Sequence, residues 1–200
     1  MAAFSAYIFD FDGTLFDTRA GVGLCYERAF RELGGEYDPS MLETYMKEPL
    51  DRTFARFWED PCRYREFVAC FLAESEASMC ATTAIFPDTA EALARVQGSG
   101  AAMGIVSGKT EVRIREILGR FGLGGMFRSI VGFERTKASK PDPSSLEMCL
   151  GELGEPPCGA VYVGDSPLDV AAAEAAGATG ILIDRGGGTP GALTDLRMLP

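Results

Sequence analysis

The stretch YIFDFDGT, residues 7–14, decides how the whole chain is read. Tyr7, Ile8, Phe9 and Phe11 make a short apolar run of the kind a buried strand shows, and Asp10 sits inside it near the C-terminal end. A carboxylate in that setting is costly unless a cation or hydrogen bonds compensate it. Asp10 and Asp12 are two residues apart, so an extended backbone turns both to the same side and both can address one place. Taken alone, Asp12-Gly13 also reads as a turn and Thr14 as a plain cap.

Working outward, the chain changes character twice. Residues 17–86 read as wholly helical, without a convincing strand: Val22, Cys25, Tyr26, Ala29 and Leu33 share one face, and Tyr64, Phe67, Val68, Phe71, Leu72 and Met79 another. Beyond Pro87 the pattern alternates. Asp88 and Glu91 read as caps of a helix carrying Leu93 and Val96. A strand ending at Val106 follows, then a helix with Ile114, Ile117, Leu118 and Phe121, and a strand SIVGF at 129–133. A helix with Leu146, Cys149, Leu150 and Leu153, a strand AVYV at 160–163, an alanine-rich helix at 166–176 and a last strand TGILID at 179–184 complete it. Such alternation predicts an α/β fold, a doubly wound, Rossmann-like parallel sheet covered on both faces. The helical block is then an all-helical cap inserted after the first strand. This gives a discontinuous core of residues 1–16 and 87–200, a cap of 17–86, and hinges near 16–18 and 86–88.

Composition limits the possible partners. With 19 Lys plus Arg against 29 Asp plus Glu, the net charge of −10 argues against a nucleic-acid partner. The N-terminus lacks the pattern of a signal peptide and no apolar run is long enough to span a bilayer, so the expectation is a cytoplasmic protein without a membrane partner. Six cysteines without a CxxC pair read as reduced, mostly buried thiols. The chain has no histidine, so acid–base work near neutral pH falls to carboxylates, lysines, tyrosines or thiols.

Ligands of an open α/β sheet bind outside the C-terminal strand ends. Asp10 and Asp12 follow the first strand, Ser107 follows the second in IVSGK, and Asp165 follows the fourth in VYVGDSPLD; Lys140 lies in SKPDP before a helix. Each has a plainer reading: Ser107 as a helix start, Lys140 as a solvated lysine, and Asp165 and Asp169 as acids favoured in a first helical turn beside Pro167.

Together, DFDGT at 10–14, the Ser107 segment, KPDP at 140–143 and GDSPLD at 164–169 resemble the four signatures of the haloacid dehalogenase-like superfamily, in its phosphatase branch. The helical insertion resembles that family's first cap type, as in phosphoglycolate phosphatase-like members, with FPD at 86–88 where such members re-enter the core. The resemblance implies a phosphatase acting on a small-molecule phosphate ester. Asp10 would be the nucleophile forming an aspartyl-phosphate, and Asp12 the acid and then the base. It also implies Mg²⁺ held by Asp10, the Asp12 carbonyl and Asp165, with Asp169 acting through water or a neighbouring contact. Thr14, Ser107, Gly108 and Lys140 would hold the phosphoryl group. Gly108 departs from the family pattern, which often has Asn there.

Substrate choice is expected in the cap, where Arg19, Lys47, Arg52 and Arg56 are cationic candidates, each also readable as solvated surface. The expected assembly is a monomer or homodimer. Three competing readings have particular tests. Gly108-Lys109-Thr110 looks like the end of a nucleotide-binding loop, but Met103 stands where that motif needs glycine. A phosphomutase of the same family would keep both aspartates, and a non-catalytic binding module could share the fold.

Overall fold

The computed structural model describes residues 4–200. In chain order its strands and α-helices are β1 (Ala6–Phe9), β2 (Phe16–Asp17), α1 (Arg19–Glu32), α2 (Leu42–Met46), α3 (Leu50–Ala55), α4 (Tyr64–Thr82), β3 (Ala84–Ile85) and α5 (Thr89–Gly98). Then come β4 (Ala102–Val106), α6 (Glu111–Arg120), β5 (Ser129–Val131), α7 (Phe133–Thr136), α8 (Ser144–Leu153), β6 (Ala160–Gly164), α9 (Pro167–Ala175) and β7 (Thr179–Leu182).

Five strands form one parallel sheet in the order β5-β4-β1-β6-β7, with Ala6 level with both Ala102 and Ala160. The order places β1 between β4 and β6, so the chain ends of these three strands emerge side by side. All four residues of β1 and all five of β4 and of β6 are buried, which is why these strands read as continuous apolar runs rather than alternating ones. On one face Ile8 and Tyr162 pack in a cluster with Leu146, Cys149, Leu150 and Leu153 of α8 and Ala173 of α9. Tyr7, Phe9, Met103 and Ile105 alternate to the opposite face and are buried as well, so both faces are covered. Gly104 lets α8 approach closely: a Cβ there would come within 2.4 Å of Cys149 Sγ.

The chain divides into two compact units, one comprising residues up to Asp17 with Ile85–Pro200, the other Thr18–Ala84. In the second unit α1 packs against α4. An aromatic cluster fills it, Tyr26 against Tyr45 at 5.2 Å, Phe30 against Trp58 at 5.0 Å and Phe54 against Phe67 at 5.6 Å between ring centres. Fused apolar area of this kind is how a small helical unit acquires a core.

The structure differs from the sequence reading at several places, among them the thiols, of which only Cys25 and Cys149 are buried, and the last strand, which ends at Leu182. Where 17–86 read as free of strands, β2 and β3 pair with each other. The third large-sheet strand stops at Val131; at Gly132 the backbone turns away into α7, with Glu111 so near that a Cβ there would lie 2.4 Å from its nitrogen. Asp88 precedes α5 but makes no cap hydrogen bond; its carboxylate is taken by Arg185 and by the Leu196 amide. Ser107 does not start α6, whose first amide, Glu111 N–H, donates instead to Glu134 Oε1 at 2.8 Å.

Candidate active site

Three strand ends build the site. The Asp10 amide donates to Val163 O at 2.8 Å, which carries the β1–β6 ladder one residue beyond β1 and fixes where the Asp10 side chain leaves the sheet. The Ser107 amide does the same for β4 by donating to Val131 O at 3.1 Å. Gly164 ends β6, and Asp165 follows it. After Asp10 the chain folds into a tight turn in which Gly13 N–H donates to Phe16 O at 2.8 Å and Phe16 N–H to Phe11 O at 3.1 Å. Gly13 has φ +77°, and a Cβ there would come within 2.3 Å of Asp165 Oδ2. The first and fourth sequence segments therefore meet backbone to carboxylate.

Lys140 joins the acids. Its Nζ donates to Asp10 Oδ1 at 2.8 Å and to Asp169 Oδ1 at 2.5 Å, and it lies 5.7 Å from the centre of the Tyr162 ring. The other oxygen of Asp169 accepts from the Ser166 amide at 3.0 Å, so this residue completes the capping box of α9 while facing Lys140. Asp169 thus caps α9 with one oxygen and meets Lys140 with the other. One oxygen each of Asp10, Asp165 and Asp169 lie within 4.8 Å of one another.

Charge in this cluster does not balance. Asp12 Oδ1 is 3.2 Å from Lys109 Nζ, near enough to pair electrostatically though not aligned as a hydrogen bond, and that lysine side chain is only 8% exposed. Two of the three clustered carboxylates, Asp10 and Asp169, share the ammonium of Lys140, so acids outnumber the lysine in this cluster. Burial pushes the Asp10 carboxyl well above the usual carboxylate range; Lys140 pulls it back, while Asp169, Asp165 and Asp12 push it up again. Burial opposes the charge on Lys140, but Asp10, Tyr162 and Asp169 outweigh it and raise its pKa well above the ordinary value. An all-oxygen donor set with surplus negative charge is what a hard divalent cation fits. Thr14 Oγ1 is buried without a partner among the described residues, a polar atom kept ready at the turn.

The family model described as haloacid dehalogenase-like hydrolase matches residues 7–183. The chain belongs to the haloacid dehalogenase-like hydrolases. It is 31% identical over 171 residues to a phosphoglycolate phosphatase from Aquifex aeolicus, covering 85% of this chain and 80% of that protein. It is also 31% identical over 177 residues to a phosphoglycolate phosphatase from Cereibacter sphaeroides, with the same coverage. A crystal structure from Bacteroides fragilis assigned to the haloacid dehalogenase-like hydrolases superposes with a TM-score of 0.87 at 28% identity, over 98% of this chain and 94% of that one.

Within this hydrolase the structure gathers Asp10, Asp12, Thr14, Ser107, Gly108, Lys140, Asp165 and Asp169 on one end of the first unit. Ser107 Oγ accepts from the Lys109 amide at 3.3 Å, which shapes the loop after β4, and a Cβ at Gly108 would meet no described atom within 4 Å. Arg19, Lys47 and Arg52 all lie in the second unit and are exposed, with Arg19 3.9 Å from Glu43. Arg56 is engaged by Glu48 in a two-pronged pair, Nε to Oε1 at 2.9 Å and Nη2 to Oε2 at 2.8 Å. The sequence reading weighed Lys109 only as the end of a nucleotide-binding loop, not as a partner of Asp12. The signal was present: two residues beyond Ser107, on the same strand-end loop, a lysine can reach the crevice as easily as the serine does. Among the described residues no helix is long and apolar enough to cross a membrane.

Proposed function

We propose that this chain, a phosphatase of the haloacid dehalogenase-like family, hydrolyses small phosphate monoesters with Asp10 as nucleophile and Mg²⁺ as cofactor. The observation that carries the reading is the cluster of Asp10, Asp165 and Asp169 beside Lys140 at the strand ends, with Asp12 near enough to act on the Asp10 carboxyl electrostatically.

Asp10 Oδ1 is held by Lys140, so Oδ2 is the atom that attacks phosphorus. The bond from phosphorus to the leaving oxygen breaks as Asp12 gives that oxygen its proton, and an aspartyl-phosphate forms on Asp10. Asp12, now a carboxylate, takes a proton from water as the water oxygen attacks phosphorus. The bond to Asp10 breaks, and inorganic phosphate leaves with both aspartates restored. Lys109 stands beside Asp12, its Nζ 3.2 Å from Oδ1, and adds a cation to this edge of the site. Lys140 moderates repulsion between Asp10 and the phosphate dianion, while Ser107, Thr14 and the backbone around Gly108 hold phosphoryl oxygens. Asp10, the Asp12 carbonyl, Asp165 and Asp169 would hold Mg²⁺, which when bound supplies positive charge to a crowded anionic centre.

The substrate reading is a small acidic ester such as phosphoglycolate, supported by the names of the two relatives and by the cations Arg19, Lys47 and Arg52 in the second unit. Measured kcat/KM for phosphoglycolate, pyrophosphate, sugar phosphates and nucleoside monophosphates tests the substrate assignment. Turnover of para-nitrophenyl phosphate that persists undiminished after exhaustive chelation overturns the metal assignment.

A further inference from the structure

Behind the DFDGT turn lies a partly buried ion pair that the proposed chemistry does not use. Arg185, just beyond β7, donates from Nη1 to Asp88 Oδ2 at 2.6 Å and from Nη2 to the backbone oxygen of Thr14 at 2.5 Å. Its guanidinium carbon lies 4.2 Å from the centre of the Phe86 ring. Asp88 is 3% exposed, and the oxygen that holds Arg185 also accepts from the Leu196 amide at 2.5 Å. The next carbonyl of the turn, Leu15 O, accepts from Thr89 Oγ1 at 2.9 Å. Two consecutive carbonyls of the turn are therefore gripped from behind by the start of α5 and the segment after β7.

The pair is a poor device for stability alone. Asp88 Oδ1 and Arg185 Nε are buried without a partner among the described residues, and a buried ion pair often gains nothing over apolar packing. A planar guanidinium, in contrast, fixes direction at two acceptors simultaneously.

We infer that Arg185, anchored by Asp88, is a positioning residue that sets the DFDGT turn so that Asp12 presents its carboxyl to the leaving oxygen. The inference rests on the role proposed for Asp12. Thr14 is two residues from Asp12 within a turn closed by the Gly13 to Phe16 hydrogen bond, so slack at the Thr14 carbonyl is passed to Asp12 before it reaches Asp10, which the sheet holds independently.

The test compares para-nitrophenyl phosphate, whose leaving group needs no proton, with an alkyl phosphate that the wild type turns over. Arg185→Met is expected to lose about 10- to 100-fold more kcat on the alkyl ester than on the aryl ester, the scale of a small misplacement of a reacting group. Arg185→Lys keeps the charge but cannot grip both acceptors, and falls between. Because Met alone strands the Asp88 charge, the double variant Asp88→Asn/Arg185→Met separates folding from positioning: it regains melting temperature yet keeps the bias against the alkyl ester. Hydrogen exchange at the Gly13 and Phe16 amides accelerates in these variants while exchange along β1 does not. Equal losses on both esters, or none, overturn the inference. Asp12→Ala is run alongside: if it shows no leaving-group bias, the role of Asp12 fails and the inference with it, whereas bias in Asp12→Ala without bias in the Arg185 variants sinks the inference alone.

Discussion

The Asp165 carboxylate lies directly over Gly13, so close that a single methyl group on Gly13 would come within 2.3 Å of Oδ2. Gly13 also has φ +77°, a conformation that costs an alanine about 1–2 kcal/mol. Gly13→Ala is therefore expected to displace Asp165 and to lower turnover by about 10²-fold or more while the sheet stays folded. Far-UV circular dichroism with steady-state kinetics checks this; near-wild-type kcat would show that the close approach is not needed.

On the proposed cofactor assignment Mg²⁺ should stabilise the folded protein, because acids outnumber the lysine in the cluster and a bound cation adds positive charge there. At a hundredfold excess over Kd the gain is about 2.7 kcal/mol, or roughly 5–10 °C in Tm for a chain of this length. Asp165→Asn should abolish most of that shift while leaving the Tm of the metal-free protein equal or higher, since one of three facing carboxylates has lost its charge. A variant that melts well below wild type without metal, yet keeps the full shift, contradicts the assignment.

Asp10 and Asp12 should separate by step. Asp10→Asn is expected to remove both turnover and any hydroxylamine-sensitive acyl phosphate, since an amide is no nucleophile. Asp12→Ala should lose on the order of 10²- to 10⁴-fold in kcat, less with an activated ester, and still accumulate the acyl phosphate. Trapping by borohydride reduction followed by peptide mapping decides the matter, and label on any residue other than Asp10 would refute the mechanism.

Gly104 supplies a test of the core that is independent of chemistry. A Cβ there would lie 2.4 Å from Cys149 Sγ and 3.3 Å from Leu153 Cδ1, so Gly104→Ala should cost about 1–3 kcal/mol by overpacking. Cys149→Ala, which removes the nearest atom, should restore much of that loss in the double variant. Additive losses in urea unfolding would show that the contact is not the cause.

Asp184 predicts a pH dependence at the acid end. Its carboxylate accepts from the amides of Gly186, Gly188 and Thr189 at 2.9, 3.0 and 2.8 Å, which together with the Thr189 side chain holds its pKa down to about 2, below its ordinary 3.8. A depressed carboxylate contributes stability above its unfolded pKa and loses it as pH falls through the folded one. The loop at 186–189 should therefore stay closed above about pH 4 and loosen toward pH 2. Asp184→Ala should be looser than wild type near neutrality, with the difference fading over that window. Limited proteolysis by pepsin across this range, compared with proteolysis at neutral pH, reads it directly.

The parallel sheet was legible because β1, β4 and β6 are buried on both faces and so appear as unbroken apolar runs. The candidate acids were legible for the same reason in reverse: Asp10 and Asp165 stand out at the ends of those runs. What escaped depends on distant partners. Asp88 followed by Glu91 spells a helix start whether or not an arginine 97 residues away claims the aspartate. Gly132 carries no mark of the Glu111 backbone pressed against it, so the strand at 129–133 read two residues too long. Two-residue strands such as β2 and β3 are shorter than any periodicity. Arg56 looked like the other cations near it until Glu48 was seen to occupy it.

Gly108 leaves room where the family often places an asparagine, and no described atom lies within 4 Å of the Cβ it lacks. If Gly108 borders the phosphoryl group as proposed, that space makes position 108 a point where substrate preference can change by one substitution without a compensating one. A side chain added there enters open volume beside Ser107 instead of displacing a neighbour. Adaptation to a new ester can therefore begin at Gly108, on a loop whose anchoring hydrogen bond, Ser107 N–H to Val131 O, belongs to the backbone and survives the exchange.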